Sequence, residues 1–183
     1  MGQLTITELA KKYKTDKFTN SVQGHSYAKF YEDALKSKKY LNIRLLEIGV
    51  DKGESLRLWS EFLPKAQIVG IDKELKPEAM KQNANVVLIQ ADAYQALPLQ
   101  PLQPFDVIID DGPHNFLSQM QAIELYIPKM KPLGVFVIED VTDPGYIERF
   151  KNALPDYLKP YAYGVDLTHE TGRFDNRLFV VET

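Results

Sequence analysis

Acidic side chains gathered at two points of the chain carry its strongest chemical signal. Residues 105–115 read FDVIIDDGPHN: an apolar run broken by Asp106, then Asp110 and Asp111, a Gly112-Pro113 turn and His114. Residues 134–141, GVFVIEDV, follow the same plan, an apolar run ending in Glu139 and Asp140. Runs of β-branched and aromatic residues of this length predict buried strands. Carboxylates at their C-terminal ends stand at the sheet edge where open α/β folds bind ligands. Such oxygen donors suit a hard divalent ion such as Mg²⁺, which makes Asp111, Glu139 and Asp140 the candidate metal ligands. His114, of a residue type that titrates near neutrality, is the candidate proton acceptor. Plainer roles compete: a turn-and-cap pair at Asp110 and Asp111, a carbonyl partner for His114, solvent around Glu139 and Asp140. Alternation along a strand also turns Asp110 away from Asp111.

A second group lies earlier. In residues 47–53, EIGVDKG, Gly49 ends a strand and Gly53 opens a helix, and glycines there let backbone approach a ligand closely. The dinucleotide fingerprint G-x-G-x-x-G is not met. Asp72 ends the second strand, where an acid can accept both ribose hydroxyls, and Asp92 follows the third. Most glycine turns in α/β proteins serve only the backbone, so the order of all these pieces along the chain carries the weight. That order resembles the class I S-adenosylmethionine-dependent methyltransferases. The resemblance implies cofactor contacts from Glu47, Gly49, Gly53, Asp72, Asp92 and Asp110. For Glu47 two partners stay open, a neighbouring loop and the ammonium of the cofactor's methionine end.

The elements that must position these groups follow from pattern. Strands are expected at 44–50, 67–71, 85–90, 105–110, 134–139 and 177–181, with an extended aromatic stretch at 157–166. Helices are expected at 4–15 with Thr7 as cap, 27–38 with Ser26 as cap, 54–63, 77–82, 116–127 and 144–153. Residues 93–104 hold three prolines and predict a helical turn and a surface loop; residues 168–176 predict the polar tip of a long hairpin. Strand alternating with helix predicts a mostly parallel sheet covered on both faces, with an antiparallel final strand. The expected organisation is one domain over 1–183, a helical leader over 1–40 covering the site and a Rossmann-like α/β core over 41–183. Leader and hairpin supply the candidate acceptor contacts His25, Tyr27, Arg173 and Asn176.

Composition excludes several classes. The 183 residues are 44% hydrophobic and 26% charged, enough for a real core. A net charge of −3 argues against a protein that coats nucleic acid or an anionic membrane. The absence of cysteine removes disulfides, thiolate metal sites and cysteine nucleophiles. The N-terminal residues lack a signal-peptide layout, and Ile6 stands where a myristoylation motif wants Ser or Thr, so a cytoplasmic location is expected.

IDDGPHN and VFVIEDV, with the leader segments YKTDKF and GHSYAKFYE, resemble the metal-dependent macrolide-sugar O-methyltransferases of the mycinamicin type. The likeness covers nearly the whole chain. It implies Mg²⁺ on Asp111, Glu139 and Asp140, with His114 as base. The catechol O-methyltransferases place a Lys where His114 stands here, which sides with the sugar-modifying family. Pro113 replaces the family's usual Ser, and the further N-terminal domain of some relatives is absent from this sequence. The expected function is methyl transfer to a hydroxyl of a sugar or polyketide-like acceptor, free or carrier-tethered, with no nucleic-acid or membrane partner. The sequence leaves the oligomeric state open. The alternative is a hydroxylase-like or non-catalytic relative that keeps the cofactor fold.

Overall fold

The computed structural model describes residues 4–17, 24–95 and 103–183. Strands β1 (Arg44–Ile48), β2 (Gln67–Asp72), β3 (Val86–Gln90), β4 (Phe105–Asp110), β5 (Met130–Ile138), β6 (Ala162–Asp166) and β7 (Arg177–Glu182) form one sheet in the order β3-β2-β1-β4-β5-β7-β6. The first five are mutually parallel, and β7 is antiparallel to both of its neighbours, β5 and β6. This is the mostly parallel sheet expected from the strand–helix alternation, in the Rossmann-like class I methyltransferase arrangement that the resemblance implies.

Period-two alternation distributes the side chains between two cores. Leu45, Val107, Ile109, Val135 and Val137 face one layer, made by α1 (Ile6–Tyr13), α2 (Ala28–Leu35) and α3 (Glu54–Phe62). Leu46, Ile48, Ile108, Phe136 and Ile138 face the other, made by α4 (Phe116–Tyr126) and α5 (Gly145–Ala153). The leader helices therefore sit beside α3 as part of one face. Leu56, Trp59, Phe62 and Leu63 point inward as their helical spacing predicts. Among the described residues no helix is long and apolar enough to cross a membrane.

Several local expectations need correction. Thr5, not Thr7, caps α1: its hydroxyl accepts from Glu8 N, and the Glu8 carboxylate accepts from Thr5 N. That reciprocal box satisfies two otherwise orphaned N–H groups. Ser26 does not cap α2; it exchanges hydrogen bonds with Asn176 instead. Strand β5 begins four residues early, because a register shift between Phe105 and Val107 lets Met130 pair before the straight run starts. Residues 168–176 contain a one-turn helix α6 (Thr168–Thr171), closed by Gly172 in the left-handed region. Only Ala162–Asp166 of the extended aromatic stretch is strand. Of the loop expected at 93–104, residues 96–102 lie outside the described residues.

Gly49 shows how tightly the β1 end is packed. Its φ is +88°, and an added Cβ would lie 2.0 Å from the Asp111 carbonyl oxygen. Left-handed strain and overpacking each cost on the order of 1–3 kcal/mol. Gly49→Ala should therefore lower the melting temperature by about 5–15 °C for a domain of this size, measured by thermal denaturation. An unchanged melting temperature would show that β4 can move away from this turn.

Candidate active site

The alternation that builds the two cores also sorts the acids. Asp111 and Glu139 continue the phase of Ile109 and Val137, so they emerge on the leader face. Asp110 continues the phase of Ile108 and turns to the opposite layer, where Tyr94 Oη donates to it. Asp140 leaves the pattern altogether. Its φ of +55° carries its carboxylate back toward the leader, and His114 has a similar left-handed φ of +54°. Left-handed backbone at non-glycine residues is costly and concentrates at functional sites.

These groups converge. Asp111, His114 and Asp140 each offer a ligand atom, and those atoms all lie within 4.8 Å of one another. His114 Nε2 is 3.6 Å from Asp140 Oδ2 and 3.9 Å from Asp111 Oδ1. Asn115, not His114 or the adjacent acids, caps α4 by accepting from Ser118 N. The imidazole is thereby left free of a capping role. Burial lowers its pKa, against the pull of Asp140.

Two carboxylates and an imidazole aimed at one small volume make a donor set that fits a divalent ion. The set differs from the expected one. Asp111 and Asp140 belong to it, whereas both oxygens of Glu139 are engaged elsewhere: Oε1 accepts from Tyr31 Oη and Oε2 from Lys17 Nζ. Lys17 is the residue that pattern did not identify. Its ammonium, almost wholly buried, bonds Asp111 Oδ2 and lies 3.3 Å from Glu47 Oε1. Burial would lower the Lys17 pKa, but Asp111, Glu139 and Glu47 more than reverse that and hold it well above the ordinary value. Burial likewise pushes Glu139 up to about 7, against the pull of Lys17.

The cluster lines one end of a cavity of about 740 Å³, within the range of small-molecule sites. Gly49, Asp72 and Asp92 line the same cavity. Asp72 braces the turn after β1: Oδ2 accepts from Val50 N at 2.7 Å and Asp51 N at 3.1 Å, and Oδ1 from Glu74 N at 3.0 Å. A carboxylate has roughly four lone-pair positions, so there is room for one further donor rather than for both ribose hydroxyls. Gly53 opens α3 but does not line the cavity. Its Cβ position is taken by the Gln82 amide, so the glycine serves packing.

Five more expected contacts move. Glu47 is fully buried between Lys17 and Trp59, whose Nε1 donates to it at 3.1 Å. It meets the leader rather than the cavity. Asp110 is walled off behind Tyr94, and burial pushes its pKa up to about 7. Tyr27 is also fully buried; its Oη donates to Asp140 Oδ1 at 2.6 Å. Asn176 is buried against Ser26 and the Leu167 carbonyl. Arg173 pairs with Asp175 and does not line the cavity. Of the four acceptor candidates, His25 alone lines it. His25 stacks on Tyr27 with Nδ1 3.2 Å from Asp140 Oδ1.

Comparisons with known proteins agree with this geometry. A family model described as a methyltransferase domain matches residues 46–141. The mycinamicin VI 2''-O-methyltransferase of Micromonospora griseorubida is 31% identical over 74% of this chain and 36% of its own length. The demethylmacrocin O-methyltransferase of Streptomyces fradiae is 29% identical over 92% of this chain and 47% of its own. The chain thus spans between about a third and a half of these relatives. A mycinamycin-pathway methyltransferase solved with Mg and SAH superposes at a TM-score of 0.77, with 27% identity, over 99% of this chain and 56% of that one. The same enzyme has also been solved with Mg, SAH and mycinamycin VI.

Tyr27 Oη donates to Asp140; were Asp140 a metal ligand, Tyr27 would be the group that orients it, and losing such a partner typically costs about 10–100-fold in metal affinity. Tyr27→Phe removes one hydroxyl and no ring. It should weaken Mg²⁺ binding by about tenfold in calorimetry while the folded signal by circular dichroism is retained. Wild-type affinity in the variant would return Tyr27 to a packing role.

Proposed function

Because the chain belongs to the methyltransferase-domain family, we propose that it is an S-adenosylmethionine- and divalent-metal-dependent O-methyltransferase. Its acceptor is a hydroxyl on a natural product, a sugar or polyketide-like compound, free or tethered to a carrier. The observation that carries this is the convergence of Asp111, His114 and Asp140 at one end of a cavity whose other part is lined by Gly49, Asp72 and Asp92. The macrolide-enzyme relatives supply the acceptor class, and the cluster supplies the chemistry. The chain's negative charge and lack of cysteine support a cytoplasmic enzyme without a nucleic-acid partner.

When bound, S-adenosylmethionine supplies an electrophilic methyl group, and the divalent ion lowers the pKa of a hydroxyl and fixes its position. The chain's own residues do the rest. Asp111, Asp140 and Glu139 would hold the ion. Asp72 would accept from a ribose hydroxyl while bracing the β1 turn, and Asp92, which lines the same cavity, would meet the cofactor's base. His25 lines the acceptor side. His114 Nε2 takes the acceptor proton, for which it must be neutral. Its lowered pKa keeps it so at physiological pH. Methyl transfer is chiefly an orientation problem, so the buried hydroxyls that hold the carboxylates matter as much as the carboxylates.

His114→Ala should keep S-adenosylmethionine and Mg²⁺ binding in calorimetry and lose turnover by about 10²–10⁴-fold. Loss of metal binding together with turnover would make His114 a ligand instead of the base. A wild-type protein that fails to bind S-adenosylmethionine would remove the enzymatic assignment. For the pH profile the sign follows from the base. Activity appears as His114 deprotonates, and burial lowers its pKa, so the acid limb of kcat/KM should have its midpoint below the ordinary value of 6.5. A midpoint above 6.5 would show that another group limits the reaction.

A further inference from the structure

Lys17 is a cation placed among the carboxylates that the proposed ion must use. Its Nζ bonds Asp111 Oδ2 and Glu139 Oε2, with Glu47 Oε1 3.3 Å away. Asp111 is the shared residue: Oδ2 faces Lys17, and Oδ1 faces His114 and the candidate metal cluster. The Lys17 main chain is tied down, since Tyr27 N donates to the Lys17 carbonyl at 3.3 Å and His25 N donates to that of Asp16 at 2.8 Å. Its side chain lines the cavity, so the ammonium can leave the acids by rotation, without the leader unfolding. An ion that drew on Glu139 Oε2 would compete with the Lys17 ammonium for that oxygen.

We infer that Lys17 is a positioning residue that holds Asp111 and Glu139 together in the metal-free protein and yields them to the divalent ion, its ammonium swinging into the cavity as the ion enters. This rests on the metal-dependent reading of the site above. It accounts for the absence of Glu139 from the donor set. Glu139 Oε2 stands outside the Asp111, His114 and Asp140 cluster because Lys17 holds it, and it becomes a ligand when Lys17 departs. Lys17 also keeps three acids together, Glu47 and Glu139 buried and Asp111 partly so, a set whose members would otherwise repel one another.

The test reads the lysine itself. Wild-type protein is treated with an amine-reactive ester, with and without saturating Mg²⁺, and modification at Lys17 is measured by peptide mass spectrometry. Without metal Lys17 is shielded; with metal its rate should rise by about tenfold or more, as a population shift of that size requires. A second arm uses the double variant Lys17→Met with Glu47→Gln, which removes the ammonium without leaving Glu47 as a buried unpaired charge. That variant should bind Mg²⁺ about tenfold more tightly than wild type, since no competing state remains to be displaced. Metal binding to wild type with Lys17 still shielded overturns the displacement. So does equal or weaker binding by the variant, which would make Lys17 a permanent part of the metal site. Binding by the variant alone makes Lys17 a fixed replacement for the ion and overturns it as well. If neither protein binds metal, the metal-dependent reading fails with it.

Discussion

The site depends on concentrating negative charge without letting it push the fold apart. Glu47, Asp111, Glu139 and Asp140 meet at one end of a sheet, and Glu47 and Glu139 are almost inaccessible to water. Removing a charge from water costs several kcal/mol even after relaxation. The chain answers with one buried ammonium, Lys17, and three neutral donors: Tyr31 on Glu139, Tyr27 on Asp140 and Trp59 on Glu47. Taking away one partner of such a set strands the rest, at about 3–5 kcal/mol for a buried pair. The leader is therefore more than a cover. It brings Lys17, Tyr27 and Tyr31 to the carboxylates and so stabilises the site it encloses.

Much of this was legible in the sequence, for a definite reason. Acids at strand ends are local features: the apolar run fixes where a strand stops, and period two fixes which way each neighbour points. Asp110 and Asp111 could be separated on that basis alone, and they do face opposite layers. The mostly parallel sheet and its antiparallel final strand followed from the alternation of strand with helix; the strand order did not. Thr5 was missed as the cap of α1 because Thr7 stands close by and competes for the same role. The early start of β5 was missed because a register shift leaves no mark in hydrophobic pattern.

The partners of the acids were hidden for another reason. Lys17 lies 94 residues from Asp111 and 122 from Glu139 in the chain. In a polar, turn-rich segment it reads as a solvated surface lysine. The Tyr27 hydroxyl and the Asn176 amide can bond a ligand or a neighbouring protein group equally well, so sequence alone could not separate an acceptor contact from a brace. The signal that could have found Lys17 was arithmetic: several acids directed to one buried end demand a cation from elsewhere. A segment already noted for its family resemblance, YKTDKF, held one.

The two parts of the cavity are built by different means. The proposed cofactor part rests on backbone: Asp72 takes three N–H groups, and Gly49 admits the Asp111 carbonyl where a side chain would collide. Little there can shift without breaking the sheet. The metal part rests on side chains, reached by long or rotatable donors from the leader, with two of its residues in left-handed backbone. Rigidity suits a cofactor that must present its methyl group along a fixed line. Adjustable side chains suit an ion whose arrival redistributes charge. Asp111 joins the two, because its carbonyl packs on the Gly49 turn while its carboxylate faces both Lys17 and His114. A change in charge at the acids is thus felt one residue away from the turn that lines the cofactor side of the cavity.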